Sequence, residues 1–275
     1  TSLPYREKVE LAFFNHHLKG KGDWKAPAAY VFETGTNQWR TYGEWPPKAA
    51  KAKTLYFGPR GTLTFDAPKE TADAFDEYPS DPARPVPFLD DVTIGMSKEY
   101  MTADQRFAST RPDVLVYETA VLEEDLTLAG PLSASLFAST TGTDSDFVVK
   151  LIDVYPNDLP DPDPNPANVR MGGYQQLVRG DIFRGRFRNS LEKPEAFEPG
   201  KPAKIAWSLP DVNHVFRRGH KVMIQIQSTW FPLANRNPQK FLKVTAAKPE
   251  DFQQATQRVF RSKDLPSGLG VLVLE

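Results

Sequence analysis

Twenty-five prolines are scattered through this chain of 275 residues, from Pro4 to Pro266. Proline fixes φ and supplies no backbone N–H, so it disrupts helix interiors and is tolerated at strand edges, strand ends and loops. A chain punctuated in this way is expected to be all-β.

The hydrophobic pattern agrees. Leu132, Ala134, Leu136 and Ala138 alternate with Ser133, Ser135 and Ser139, and Val222, Ile224 and Ile226 alternate with Met223, Gln225 and Gln227. This period of two belongs to strands with one face in a core. Residues 147–154 are almost continuously apolar, as in a central strand. Shorter strands are expected at 28–34, 38–42, 53–57, 62–66 and 114–117. Gly35-Thr36-Asn37 and Gly58-Pro59-Arg60-Gly61 form hairpin-sized connections. Residues 79–87 and 156–170 read as proline-rich loops, and 248–255 as a turn or two of helix. The pattern describes a two-sheet antiparallel sandwich.

One segment differs. Residues 4–20 carry an apolar stripe of Val9, Ala12, Phe13 and Leu18, widened by Leu11 and Phe14. Pro4 suits a first helical turn and Gly20 a left-handed cap, so a helix is expected there.

Hydrophobic residues make up 40% and charged residues 25%, enough for a sizeable core. A net charge of −1 gives no global attraction to nucleic acid or anionic membrane. No apolar run approaches the ~20 residues of a membrane-spanning helix. The lack of cysteine removes disulfides, thiol nucleophiles and cysteine-based zinc sites. The chain opens on Thr1, with no signal peptide after it, and is expected to be cut from a longer protein.

Candidate chemistry is sparse. Gly95-Met96-Ser97-Lys98-Glu99 is the nearest string to a Gly-x-Ser-x-Gly nucleophile elbow, but it lacks the second glycine and a following helix. His16 and His17 point to different helix faces, and His214 and His220 fit turn or helix-end roles better than metal ligation. Asp158, Asp161 and Asp163 lie in a loop without the glycine and terminal carboxylate of a calcium site. Asp144 and Asp146 read as turn formers entering a strand. Arg184, Arg186 and Arg188 would share one strand face, and with net charge near zero a charged sheet face or a salt-bridged domain interface is expected there over a phosphate or RNA contact. Thr1 as an N-terminal nucleophile fits poorly with the proline and helix that follow. No cofactor or metal is expected.

Several strings, in order, resemble one family. They are Tyr5-Arg6-Glu7, Phe13-Phe14-Asn15 and Leu18-Lys19-Gly20, then Ala103-Asp104-Gln105-Arg106 and Arg111-Pro112-Asp113-Val114-Leu115. Residues 140–147 and 150–156 follow, then 219–225, 228–232 and 235–238. The family comprises X-Pro dipeptidyl-peptidases, α-amino-acid ester hydrolases, cocaine esterases and glutaryl-acylase-like enzymes. The resemblance implies a jelly-roll, galactose-binding-like sandwich over 26–275. It also implies that residues 1–25 hold the last helix of an α/β-hydrolase catalytic domain. The Ser-His-Asp triad of such an enzyme would lie upstream, so no catalytic residue is expected here. Phe13, Phe14 and Leu18 would meet the catalytic domain. A loop carrying Ile94, Met96, Tyr100 and Met101 would wall the acyl pocket, with a small ester or amide as substrate. Without that domain the apolar helix is expected to favour a homo-oligomer. The alternative reading is a free-standing module that binds a ligand such as carbohydrate. The compartment is left open among cytoplasmic, periplasmic and secreted.

Overall fold

The computed structural model describes residues 2–71, 74–91, 95 and 97–275. Its frame is two antiparallel sheets face to face. The larger is built around β7 (Leu126–Thr140), with β10 (Ala203–Phe216) along one edge. On the other edge β13 (Gly268–Leu274) pairs near the start of β7 and β12 (Ala255–Phe260) near its end. β3 (Lys51–Phe57) and β4 (Leu63–Thr64) continue beyond β13, and β5 (Phe75–Ser80) lies beyond β12. The smaller sheet runs β6 (Leu115–Glu118), β11 (Lys221–Gln227), β8 (Asp146–Val154), β9 (Gln175–Arg184). A separate hairpin, β1 (Ala29–Glu33) and β2 (Gln38–Tyr42), precedes the sandwich.

The alternation seen in sequence selects the faces. Leu132, Ala134, Leu136 and Ala138 of β7 point inward, as do Phe147, Val149 and Leu151 of β8 and Val222, Ile224 and Ile226 of β11. Burying each such Leu, Ile, Val or Phe stabilises the fold by roughly 1.5–3 kcal/mol. Pro131 sits mid-strand in β7 because the ladder is interrupted there. The register of β10 shifts between Leu209 and Val212, and that of β13 between Gly270 and Val273. Those bulges remove the demand for an N–H at position 131.

Strand β8 is buried on both sides. Its second face, with Val148 and Ile152, packs with Met223, Leu177, Phe88 and Trp230 in a smaller cluster outside the sandwich. The near-continuous apolar run at 147–154 thus reports a strand covered twice. Residues 156–170 form a loop, as expected, and 248–255 contain one short 3₁₀ turn, Pro249–Asp251, before β12 begins. The proline-rich 79–87 is not wholly loop, because β5 extends through Pro79 to Ser80.

Candidate functional site: the N-terminal helix and the outer face of the smaller sheet

The helix runs from Ser2 to Lys19 as α1 (Ser2–Tyr5), a π-helical stretch (Arg6–Glu10) and α2 (Leu11–Lys19). Gly20 closes it at φ 62°, its N–H reaching the carbonyls of Asn15 and His16. This is the left-handed cap that the sequence indicated. None of its described residues is buried. Leu3, Tyr5, Leu11, Phe13, Phe14 and Leu18 are all exposed, Leu18 by 75%. Phe13 does find neighbours, in the rings of Phe14, His17 and Trp24.

The hairpin after the helix is tied to the sandwich by a buried polar clamp. Asp153 at the end of β8 is 1% exposed. Its Oδ1 is 2.8 Å from His220 Nδ1 and its Oδ2 is 3.2 Å from His214 Nε2. His214 Nδ1 is 2.7 Å from Thr34 Oγ1, just past β1. Burial works to raise the Asp153 pKa, but the hydrogen bonds and charge of the two histidines prevail and hold it below the usual carboxylate range. Thr34–His214–Asp153 has the connectivity of a hydroxyl–imidazole–carboxylate relay. Its imidazole and carboxylate are buried, however, and the Thr34 hydroxyl is only half-buried and also donates to the Asn213 carbonyl at 3.2 Å. It is a structural joint between hairpin, β10 and β8.

The second half of the region is the cover over the outer face of the smaller sheet. A 3₁₀ turn, Glu99–Met101, carries two of the four expected wall residues, Tyr100 and Met101. Tyr100 is half-buried, its ring 5.5 Å from Phe88 and 6.0 Å from Trp230. Met101 is 52% exposed. Beside them lies a hollow of about 300 Å³, lined in part by Tyr100, Met101, Gly180, Trp230 and Leu233. Ile94 and Met96 lie outside the described residues. The following string is fixed in place. Gln105 N–H donates to Gln175 O at 2.8 Å, and Arg106 pairs with Asp104 and reaches the carbonyls of Gly172 and Arg170.

Beneath this cover is a residue that sequence reading passed over. Lys150 of β8 is fully buried. Its Nζ donates to Gln105 Oε1 at 3.0 Å and lies 5.3 Å from the centre of the Trp230 ring. Burial pushes its pKa down to about 7. The signal was present in the sequence: a lone lysine within the apolar run that marks a central strand has no exposed face to use.

The arginine row is corrected by the structure. β9 ends at Arg184 and a 3₁₀ turn, Gly185–Phe187, follows, so the three side chains do not share a strand face. Arg184 pairs with Asp146. Arg186 is buried with Asp144, and Arg188 donates to the carbonyls of Gly185, Glu195 and Ala196. Asp144 and Asp146 are correspondingly more than turn formers. Asn237 Nδ2 bridges them at 2.9 and 2.8 Å, and Arg186 Nε lies 3.0 Å from Asp144 Oδ2. Desolvation raises the pKa of Asp146 to about 6 despite the opposing pull of Arg184 and Asn237.

Ser97, in the nearest string to an elbow, donates to the Glu99 carboxylate. Among the described residues there is no cluster of three or more His, Asp or Glu side chains suited to a metal ion. None of the described helices is long and apolar enough to cross a membrane.

Comparison with known proteins places this geometry in context. The chain is 30% identical to cocaine esterase of Rhodococcus sp. (strain MB1 Bresler), over all of this chain and 47% of that protein. It superposes on an aminopeptidase from a marine sediment archaeon, Thaumarchaeota archaeon, with a TM-score of 0.93 and 41% identity. That match covers 100% of this chain and 45% of the other. An α-amino acid ester hydrolase aligns with a TM-score of 0.91 and 40% identity, over 99% of this chain and 45% of its own. The chain thus spans less than half the length of these relatives. A part shared with large hydrolases favours a hydrolase domain over a free-standing carbohydrate module. The family described as the X-Pro dipeptidyl-peptidase C-terminal non-catalytic domain matches residues 23–269, and the chain belongs to it.

Proposed function

We propose that this chain is the pocket-walling β domain of a serine acyl hydrolase, docked through its N-terminal helix on an α/β-hydrolase domain that carries the Ser-His-Asp triad. The observation that carries this reading is the helix itself. It keeps six large apolar side chains in solvent and buries none of its described residues in the sandwich. Exposed large apolar side chains in this number on one helix mark an interaction surface. In this reading residues 1–25 are the end of the catalytic domain and 26–275 the domain that leans on it. The extra length of the relatives leaves room for such a partner.

The chemistry follows from the partner. A triad serine would attack a small ester or amide carbonyl, form an acyl-enzyme and release it to water. This domain would supply shape. Tyr100 and Met101 would face the acyl group from a turn braced on Phe88 and Trp230, so that acyl groups are discriminated by apolar contact.

The test has two arms. The 275-residue chain alone should not hydrolyse p-nitrophenyl acetate or an X-Pro anilide. Turnover that survives repurification and is abolished by a serine-directed inhibitor would overturn the assignment. In the full-length enzyme, Tyr100→Ala should shift the preference between short and bulky acyl groups by about tenfold, since an apolar wall group contributes ~1–3 kcal/mol to discrimination. An unshifted preference would remove the wall role.

A further inference from the structure

The turn that holds Tyr100 and Met101 has little secondary structure of its own, so something else must set its position. Two side chains hold it from below. Trp230 packs against the Tyr100 ring, Gln105 anchors the chain four residues after Met101, and both meet Lys150. Lys150 points out of β8 on the face away from the main core, between Val148 and Ile152 of the outer cluster. It cannot retreat. Gly180 opposite it on β9 has no room for a methyl group, because a Cβ there would lie 2.8 Å from Trp230 and 3.3 Å from the Lys150 side chain.

The polar contacts of this cluster run in sequence. Lys150 Nζ donates to Gln105 Oε1 at 3.0 Å, and Gln105 Nε2 donates to Ala103 O at 3.0 Å. Gln225, beside Lys150 on β11, donates to the Gln105 carbonyl at 3.4 Å. Among the described residues no carboxylate forms an ion pair with Lys150. An apolar residue would fill the same volume without the desolvation of a charge, so stability alone does not account for a lysine here. What it does provide is a directed bond. A buried donor fixes Gln105, and through it residues 101–105, while its amino head packs over the Trp230 ring.

We propose that Lys150 is a positioning residue for acyl selection: it locks Gln105 and Trp230 and thereby sets how far Tyr100 and Met101 project into the pocket. The inference rests on the wall reading above and adds the element that holds the wall in place. Lys150 itself touches no substrate.

The experiment uses the full-length enzyme with Lys150→Met, Gln105→Ala, the double variant and Tyr100→Ala. Methionine keeps the length and removes the charge. Amide hydrogen exchange at residues 97–105 reads the latch. KM and kcat for p-nitrophenyl acetate and p-nitrophenyl butyrate read selection. Lys150→Met should speed exchange at 97–105 by about tenfold while the urea midpoint of the whole domain holds or rises, a split between local and global stability. The butyrate-to-acetate ratio of kcat/KM should move by about threefold, carried by KM. Gln105→Ala should reproduce the faster exchange and the shifted ratio, with a lower urea midpoint because Lys150 then stays buried without its acceptor. The double variant should add little to either readout, because both act through one bond. If Lys150→Met fails to fold, Gln105→Ala carries both readouts. Unchanged exchange at 97–105 in a folded Lys150→Met or Gln105→Ala protein overturns the latch. Faster exchange with an unchanged ester ratio overturns its part in selection. Tyr100→Ala then separates the two failures: a shifted ratio in that variant leaves the wall reading standing, and an unshifted one removes it.

Discussion

Replacing Asp153 by alanine should be among the most damaging single changes in this domain. The carboxylate accepts from two histidines, His220 at 2.8 Å and His214 at 3.2 Å, in a position 1% exposed. Hydrogen bonds to a charged group contribute about 1.5–3 kcal/mol each. Breaking a buried pair by removing one partner costs roughly 3–5 kcal/mol, because the other partner is left buried and unpaired. His214 would be that group, so the loss should fall in this range. Urea unfolding at pH 7 measures it, with equal slopes for both proteins showing that the same surface unfolds. The damage should extend to the hairpin, since His214 also meets Thr34, and hydrogen exchange across residues 29–42 should quicken. The pH dependence follows from the lowered Asp153 pKa. Its contribution is complete above the unfolded value, about 4, and fades as pH falls through the lower folded value. The gap between Asp153→Ala and the native protein should therefore be widest near neutrality and close in acid. A loss below ~1 kcal/mol at pH 7, or a gap that widens in acid, would refute the clamp.

Three further outcomes are expected. Asp144→Ala should cost roughly 3–5 kcal/mol, read as a lower urea midpoint, because Arg186 would remain buried without its carboxylate. Gly35→Ala should loosen the hairpin by about 1–3 kcal/mol: φ there is +87°, and a Cβ would lie 2.1 Å from the Val215 carbonyl oxygen. Exchange at residues 29–42 reports it. Lys150→Met should be more stable than the native protein near pH 7, by up to roughly 5 kcal/mol, as the lysine pKa is depressed from 10.5 to about 7. That advantage should shrink as pH rises from about 7 toward 10, where the folded lysine is neutral and the unfolded one is losing its charge. Unfolding curves at pH 7 and 9.5 compare the two.

The sheet faces were readable in the sequence because burial on one side imposes a period of two. β7 follows that rule, β8 reads as continuously apolar because both its faces are covered, and the helix end at Gly20 follows from a backbone conformation that glycine adopts readily. What could not be read depends on contacts between distant residues. Nothing near Asp153 announces that His214 and His220 will meet it, 61 and 67 positions away. The alternation of Arg184, Arg186 and Arg188 misled because the chain leaves the strand at Gly185, where the side chain of Phe197 and the Ser145 carbonyl exclude a Cβ. β9, β10 and β12 were missed for a related reason. Polar residues interrupt their apolar alternation where they face solvent or the buried polar networks, as Asn213, His214 and Gln257 do. Tyr100 and Met101 came from family resemblance, and the structure adds the rings beside Tyr100, those of Phe88 and Trp230.

The most direct test of the central claim is amide hydrogen exchange across residues 2–19, measured on the 275-residue chain and on the full-length enzyme. A helix with no buried residue has little beyond its own hydrogen bonds to protect it, so exchange in the chain alone should be fast. If this face docks on an α/β-hydrolase domain, protection in the full-length protein should rise by about a hundredfold or more, with Phe14 and Leu18 passing out of solvent. Equal, fast exchange in both proteins would contradict the docking, and with it the placement of this domain at the mouth of an acyl pocket.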